Sequence, residues 1–310
     1  MPDPRPQFVG RPTLLLQDSH EVLPRLQTLT REYSDLEAAT QVYRALMPVL
    51  ESDGWQAPPL AITPAQARRK LAQGIPILQG EDLPLPEGAA RRLMVRLAQA
   101  LDSLPGKLDH DSRRGSGPRH VQHLLEQRKL KAVSVLQHAG VGDHDGLQAL
   151  AQARQIDADL LGLLAQYTLA PSLRSWARQL EPMVAPVEWT QSRCYICGAE
   201  VLLGELQGGT GERHLRCGRC GADWSFLLPG CVFCGNQADT FSHLYPPDRR
   251  QEQRVEVCDE CRRYLKVVNT FEPSSPDCLF VLDLATLHLD TIAQARGYTP
   301  PSAGQIVRPN

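Results

Sequence analysis

Four Cys-x-x-Cys motifs constrain the fold of this chain more than any other feature of its sequence. Two residues between two cysteines allow a tight turn that points both sulfurs at one atom, and two such turns supply the four thiolates of a tetrahedral metal site. The eight paired cysteines therefore predict two metal sites, each with four cysteine ligands. The motifs are Cys194-Tyr-Ile-Cys197, Cys217-Gly-Arg-Cys220, Cys231-Val-Phe-Cys234 and Cys258-Asp-Glu-Cys261.

The lengths of chain between the motifs indicate how they combine. Nineteen residues separate the first two motifs and 23 separate the last two, and either length allows a β-hairpin between two turns. Glycines from Gly208 to Gly211 mark a turn midway between the first two motifs, as a hairpin requires. Sequential pairing is therefore favoured, while interleaved sites or one metal shared by the two middle motifs are the alternatives. In sequential order, the first site has Cys194, Cys197, Cys217 and Cys220, and the second has Cys231, Cys234, Cys258 and Cys261.

The residue after each motif affects the turn that the motif can form. Glycine stands there in three motifs, at Gly198, Gly221 and Gly235, and it can adopt the positive φ that turns backbone N–H groups toward sulfur. The fourth motif has Arg262 in this position. We expect its turn either to bend differently or to accept some strain.

The cysteines also divide the chain, because residues 1–193 contain none. Before the motifs, apolar residues recur at helical spacing, as in Met94, Leu97, Ala98 and Leu101. The predicted fold class is multidomain α+β, with an all-α domain, two small zinc-ribbon-like metal modules and a C-terminal helix. The predicted boundaries are 1–184 for the helical domain, 185–228 and 229–272 for the two modules, and 273–310 for the C-terminal helix and tail.

Charge argues against a role in nucleic-acid binding. From Cys194 to Cys278 there are nine Lys and Arg residues against twelve Asp and Glu residues. Two divalent ions held by eight thiolates would bring this region to a net charge of about −7, which is a poor surface for phosphate. A tandem zinc ribbon that binds nucleic acid is thus the weaker alternative.

The sequence predicts no catalytic residues and no binding site for an organic cofactor. It contains no Gly-rich phosphate loop, no Gly-x-Ser-x-Gly and no His-Glu-x-x-His motif. A dithiol or iron redox protein is the second alternative, but the hairpin-rich region lacks the strand-to-helix setting of a thioredoxin-like site. Cys278 is predicted to be a buried small hydrophobe, and His214 and His243 are predicted to be ordinary side chains.

Cytoplasmic location is expected from two features. The N-terminal residues lack the pattern of a signal peptide, and the apolar runs at residues 160–170 and 278–289 are too short to span a membrane. Thiols in that compartment stay reduced, so the cysteines are interpreted as metal ligands before disulfides. Spacing does not distinguish iron from zinc.

The order of the motifs resembles the formate dehydrogenase accessory protein family, FdhE. The resemblance is carried by Leu215-Arg216-Cys217-Gly-Arg-Cys220-Gly-Ala-Asp-Trp224, by Cys258-Asp-Glu-Cys261-Arg-Arg-Tyr264-Leu265-Lys266, and by the segment from Asp283 to Asp290. It implies a cytoplasmic maturation factor that is not an enzyme. Such a factor binds the catalytic subunit of a respiratory formate dehydrogenase, a molybdenum enzyme exported by the twin-arginine route, and is needed for its activation. The resemblance also implies rubredoxin-like iron held by the eight paired cysteines.

Overall fold

The structure is a computed structural model that describes residues 22–32, 37–52, 57–104, 117–185, 187–246 and 253–301. These residues form two compact units. One unit contains the helices α1 to α8, and the other contains the strands β1 to β6 with the helices α9 and α10. Both ends of the chain, including the N-terminal residues used to predict location, lie outside the described residues.

The helical unit confirms the predicted all-α part of the fold class. Its packing centres on α4 and α8, which contact each other, and the apolar face of α4 is buried as its spacing predicts. Two helix starts follow local signals: Thr63 and Gln66 form a capping box, and the Asp157 side chain accepts a hydrogen bond from Leu160 N. The helices are α1 (Val22–Glu32), α2 (Glu37–Ser52), α3 (Pro64–Ala72), α4 (Glu87–Asp102), α5 (Pro118–Glu126), α6 (Ala132–Gly140), α7 (His144–Ala153) and α8 (Ala158–Val184).

A six-stranded sheet forms the second unit, with the strand order β3-β2-β1-β6-β5-β4. The predicted hairpin is present, since β1 pairs antiparallel with β2 and the turn between them contains Gly208 and Gly211, both with positive φ. Strands β4, β5 and β6 form a second antiparallel group. The strands are β1 (Leu203–Gln207), β2 (Glu212–Arg216), β3 (Asp223–Ser225), β4 (Phe241–Leu244), β5 (Gln253–Cys258) and β6 (Arg263–Asn269).

One parallel pair joins the two strand groups. Gly204 of β1 lies opposite Val267 of β6, and side-chain atoms of Val267 would be only 3.2 Å from a Cβ at residue 204. A glycine at this position therefore allows the two strands to approach closely. The two predicted metal modules thus share one sheet, and their boundaries at residues 184, 228 and 272 stay predictions.

The C-terminal helical segment consists of two short helices, α9 (Leu279–Ala285) and α10 (Leu287–Gln294). Thr286 stands between them, and its Oγ1 donates to Leu282 O at 2.7 Å. A threonine that bonds the backbone of the preceding turn competes with helical hydrogen bonding and bends the helix. Helix α10 packs Leu289 and Ala293 against Tyr264 and two valines of β5. None of the described helices combines the length and apolarity needed to cross a bilayer.

Candidate metal centres

Three of the four Cys-x-x-Cys turns have the same backbone geometry. In the first turn, Cys194 N donates to Ala199 O at 2.7 Å, and Gly198 N donates to Cys194 O at 3.0 Å. The second and third turns repeat both bonds at Cys217 and Cys231. The glycine after each of these motifs has φ between 75° and 79°, as predicted from its position. This conformation aims backbone N–H groups inward, and Ile196 N donates to Cys194 Sγ at 3.4 Å.

The fourth turn adopts the same left-handed conformation without a glycine. Arg262 has φ of 57°, so of the two expected outcomes the structure shows strain and not a different bend. Arg262 O accepts hydrogen bonds from Thr299 N at 2.8 Å and from Thr299 Oγ1 at 3.1 Å. Contacts with the segment after α10 therefore hold this residue in a conformation that its own backbone disfavours.

The sulfur atoms gather into two tetracysteine clusters. The first contains Cys194, Cys197, Cys217 and Cys220, and the second contains Cys231, Cys234, Cys258 and Cys261. Within each cluster all four sulfurs lie within 4.8 Å of one another. This is the grouping of sequential pairing, and the two middle motifs contribute to different clusters.

The spacing of the sulfurs fits a tetrahedral metal. Bonds of about 2.3 Å to a central ion place two ligand sulfurs about 3.8 Å apart. In the second cluster, Cys231 Sγ lies 3.7 Å from Cys261 Sγ, and Cys234 Sγ lies 3.6 Å from Cys258 Sγ. A disulfide would require about 2.05 Å. The donor set of this cluster therefore suits zinc or iron, and each cluster can hold one ion.

Hydrogen bonds prepare one thiol of the second cluster for metal binding. Burial raises the pKa of Cys258, but Cys261 N–H and the Asn236 side chain stabilise its thiolate more and lower this pKa to about 7. The Asn236 Nδ2 atom lies 3.5 Å from Cys258 Sγ. The pKa of Cys231 is raised, chiefly by burial. Because metal ligation needs thiolates, metal uptake by this cluster is expected to release protons and to strengthen as pH rises.

One arginine that the sequence did not single out holds the chain segment that leads into the second cluster. Arg213 of β2 donates from Nη1 to Gly230 O at 3.1 Å and from Nη2 to Leu228 O. Its Nη1 also lies 3.0 Å from Glu256 Oε2, and that glutamate is 3% exposed. The linker into Cys231 is thereby fixed against the sheet. No local pattern marks this role, since Arg213 and Glu256 lie 43 residues apart in the sequence.

The remaining candidates of the sequence analysis lie outside both clusters. Cys278 is fully buried at the start of α9, where Ser275 Oγ donates to its Sγ at 3.1 Å. His214 Nδ1 lies 2.7 Å from Asp223 Oδ1, and His243 Nε2 lies 3.8 Å from Glu256 Oε1. His214 is therefore hydrogen-bonded to Asp223, and both histidines lie outside the two cysteine clusters.

Comparison with known proteins relates the second strand group to one family. The sequence model of the domain described as "FdhE, C-terminal domain" matches residues 230–306. A relative from Aquifex aeolicus, named "Protein FdhE homolog", is 24% identical over 184 residues, which is 58% of this chain and 58% of the relative. A relative of the same name from Shewanella baltica is 36% identical over 112 residues, which is 35% of this chain and 36% of the relative. The chain thus aligns with about three fifths of one relative and a third of the other.

A solved structure shares the fold over nearly the whole chain. It is described as "The crystal structure of the FdhE protein from Pseudomonas aeruginosa" and superposes with a TM-score of 0.59 at 21% identity. The match covers 95% of this chain and 98% of that one. The overall arrangement of the fold is therefore common to both proteins.

Proposed function

We propose that the chain is a member of the FdhE family and acts as an accessory protein in the maturation of formate dehydrogenase, not as an enzyme. The observation that carries this proposal is the pair of tetracysteine clusters in a chain with the FdhE fold. Four sulfur ligands saturate a tetrahedral ion and leave no open position for a substrate. Such clusters stabilise a protein that acts by binding.

The eight clustered cysteines are the proposed ligands of two metal ions, iron or zinc. Cys194, Cys197, Cys217 and Cys220 hold the first ion, and Cys231, Cys234, Cys258 and Cys261 hold the second. The sulfur spacing of the second cluster and the left-handed residue after each motif support this assignment. Bound metal supplies folding free energy to a sheet whose strands are only three to seven residues long.

The proposed partner is the catalytic subunit of a respiratory formate dehydrogenase, a molybdenum enzyme exported by the twin-arginine route. Binding takes place in the cytoplasm and is needed for the subunit to become active before export. The sequence resemblance supports this partner, and so does the family match of residues 230–306.

Binding to nucleic acid through the sheet unit is not proposed. Five of its described arginines pair with carboxylates of the same unit, so the charge of these five is compensated locally. The pairs are Arg213–Glu256, Arg216–Glu205, Arg254–Glu256, Arg262–Asp259 and Arg263–Glu200.

Deletion and complementation in the native host test the proposed role. We expect deletion of the gene to abolish formate dehydrogenase activity, and the tagged wild-type chain to restore it and to copurify with the catalytic subunit. Cys217→Ser should fail to restore activity, because it removes a ligand of the first site. Cys278→Ser is the matched control, since it changes a buried cysteine outside both clusters. Normal formate dehydrogenase activity in the deletion strain would refute the proposal.

A further inference from the structure

The two clusters differ in their access to solvent. All four cysteines of the first cluster are buried, and the most exposed of them, Cys197, is 5% exposed. In the second cluster Cys258 is fully buried and Cys231 is 4% exposed, whereas Cys261 is partly exposed and Cys234 is exposed. One side of the second cluster therefore faces water.

Packing explains the burial of the first cluster. Pro276 lies against its second turn so closely that a Cβ at Gly221 would be 2.6 Å from the proline side chain. In the same turn, a Cβ at Gly218 would be 2.9 Å from Leu202. The first turn of this cluster is hydrogen-bonded to a residue far away in the sequence, because Ile77 N donates to Tyr195 O at 2.8 Å. Both turns are thus covered by other parts of the chain.

None of the described residues covers the corresponding turn of the second cluster in this way. Gly235 stands in the same place relative to Cys231 and Cys234 as Gly221 does in the first cluster, and it has the same left-handed backbone. A Cβ at Gly235 would meet nothing within 4 Å. The exposure of Cys234 and this open space are separate observations of the same accessible side.

We propose that the second cluster is an exchangeable metal site and that Cys234 is its reactive thiolate, while the first cluster is a permanent structural site. This inference rests on the proposed metal ligation. The incoming group is a soluble donor of the thiol or chelator class. In the exchange step the bond from Cys234 Sγ to the ion breaks as a bond from the incoming donor forms, and no atom changes its oxidation state. The rate of this reaction depends on how easily the donor reaches the sulfur and the ion. Packing around the first cluster blocks that approach.

Metal release from the full-length chain tests the proposal. The protein is loaded with zinc, its stoichiometry is measured, and 4-(2-pyridylazo)resorcinol is added as both chelator and indicator. We expect two kinetic phases of one zinc each, with the fast phase at least about tenfold faster than the slow one. Release of both ions in a single phase would overturn the inference while leaving the proposed metal ligation intact. A stoichiometry below two after loading would overturn the metal ligation and the inference with it.

Alkylation identifies the cysteine that reacts first. A brief pulse of iodoacetamide converts an accessible thiolate to a thioether and releases iodide, and mass spectrometry then locates the label. We expect Cys234 to be labelled first and the four cysteines of the first cluster last. Labelling of Cys194 or Cys217 before Cys234 would contradict the proposal.

A pair of variants assigns the fast phase to the second cluster without removing a ligand. Asn236→Ala removes the hydrogen bond from Asn236 Nδ2 to Cys258 Sγ, so it should quicken the fast phase several-fold and leave the slow phase unchanged. Ser275→Ala is the matched control, because it removes a hydrogen bond to Cys278, which lies outside both clusters. A change of the slow phase in Asn236→Ala would show that the phases are assigned wrongly.

Discussion

The guanidinium of Arg262 stacks on the Tyr298 ring, with its Cζ atom 4.4 Å from the ring centre. Arg262 Nη2 also donates to Arg296 O at 2.8 Å, and Tyr298 donates its hydroxyl proton to Asp259 at 2.7 Å. The side chain that replaces glycine after the fourth motif therefore attaches residues 296–299 to this turn. Strain in the backbone of the turn accompanies a contact that glycine could not make.

Replacing Arg262 by two small residues separates the strain from the contacts. Arg262→Ala loses the side-chain contacts but keeps a Cβ on a residue with a left-handed backbone, which costs about 1–2 kcal/mol. Arg262→Gly loses the same contacts and removes that cost. We expect the alanine variant to be less stable than the glycine variant by about 1 kcal/mol, after the greater flexibility of unfolded glycine is considered. Urea unfolding of the zinc-loaded variants measures the difference. Equal stability would show that the turn is not strained at residue 262.

A buried ion pair in the sheet predicts a large loss of stability. Arg216 Nη1 lies 2.5 Å from Glu205 Oε2, with both side chains at most 2% exposed. Glu205→Leu leaves the arginine charge buried without this partner and should cost about 3–5 kcal/mol in urea unfolding.

The double variant Glu205→Leu with Arg216→Met is the control for this pair. It removes both charges and should recover part of the loss. It should not recover all of it, since Glu205 also accepts from Gln207 Nε2 at 2.9 Å. A single variant no less stable than the double variant would contradict the expected cost of an unpaired charge.

Local chemistry explains which parts of the sheet unit could be predicted. Cys-x-x-Cys spacing, the glycines that follow it and the turn at Gly208 to Gly211 act over a few residues, and each has its predicted consequence in the structure. The apolar run from Trp224 to Leu228 is typical of a strand, but β3 ends at Ser225. After β3, the backbone carbonyl oxygens of Phe226, Leu228 and Gly230 accept hydrogen bonds from the Arg213 side chain, and these bonds fix the path of the chain.

Long-range pairing explains what the sequence could not predict. Strand β4 is short and half exposed, so its alternation of apolar and polar residues is too weak to identify it. The parallel pairing of β1 with β6 joins residues more than 60 positions apart, and no local pattern marks it. Pairing at such a distance depends on the whole fold.

Removal of metal should loosen the sheet and spare the helices. The turns at both clusters hold the ends of short strands, whereas α4 and α8 bury long apolar faces against each other. Hydrogen exchange after chelation should show lost protection at β2 and β5 and retained protection at α4 and α8. Readdition of zinc should restore protection, and equal loss in helices and strands would contradict the expectation.

The pair His214–Asp223 predicts how stability depends on pH. The hydrogen bond with Asp223 raises the pKa of His214, although burial opposes it. Burial by itself raises the pKa of Asp223, but the bond from His214 and the charge of Arg216 outweigh burial and lower it. The histidine contribution is fully present below its unfolded pKa of about 6.5 and is lost as pH rises through the higher folded value. The aspartate contribution is lost only as pH falls through its lowered folded pKa.

His214→Gln and His243→Gln should therefore show opposite trends in urea unfolding between pH 5 and 8. The stability advantage of the wild type over His214→Gln should decrease as pH rises through this range. Burial and the charge of Arg254 lower the pKa of His243, so the unfolded chain binds more protons at this residue and the wild type loses stability as pH falls. The stability advantage of the wild type over His243→Gln should therefore increase as pH rises. Zinc-loaded protein is used throughout, so that thiolate protonation affects all samples alike. Parallel trends in the two variants would contradict at least one of the two pKa shifts.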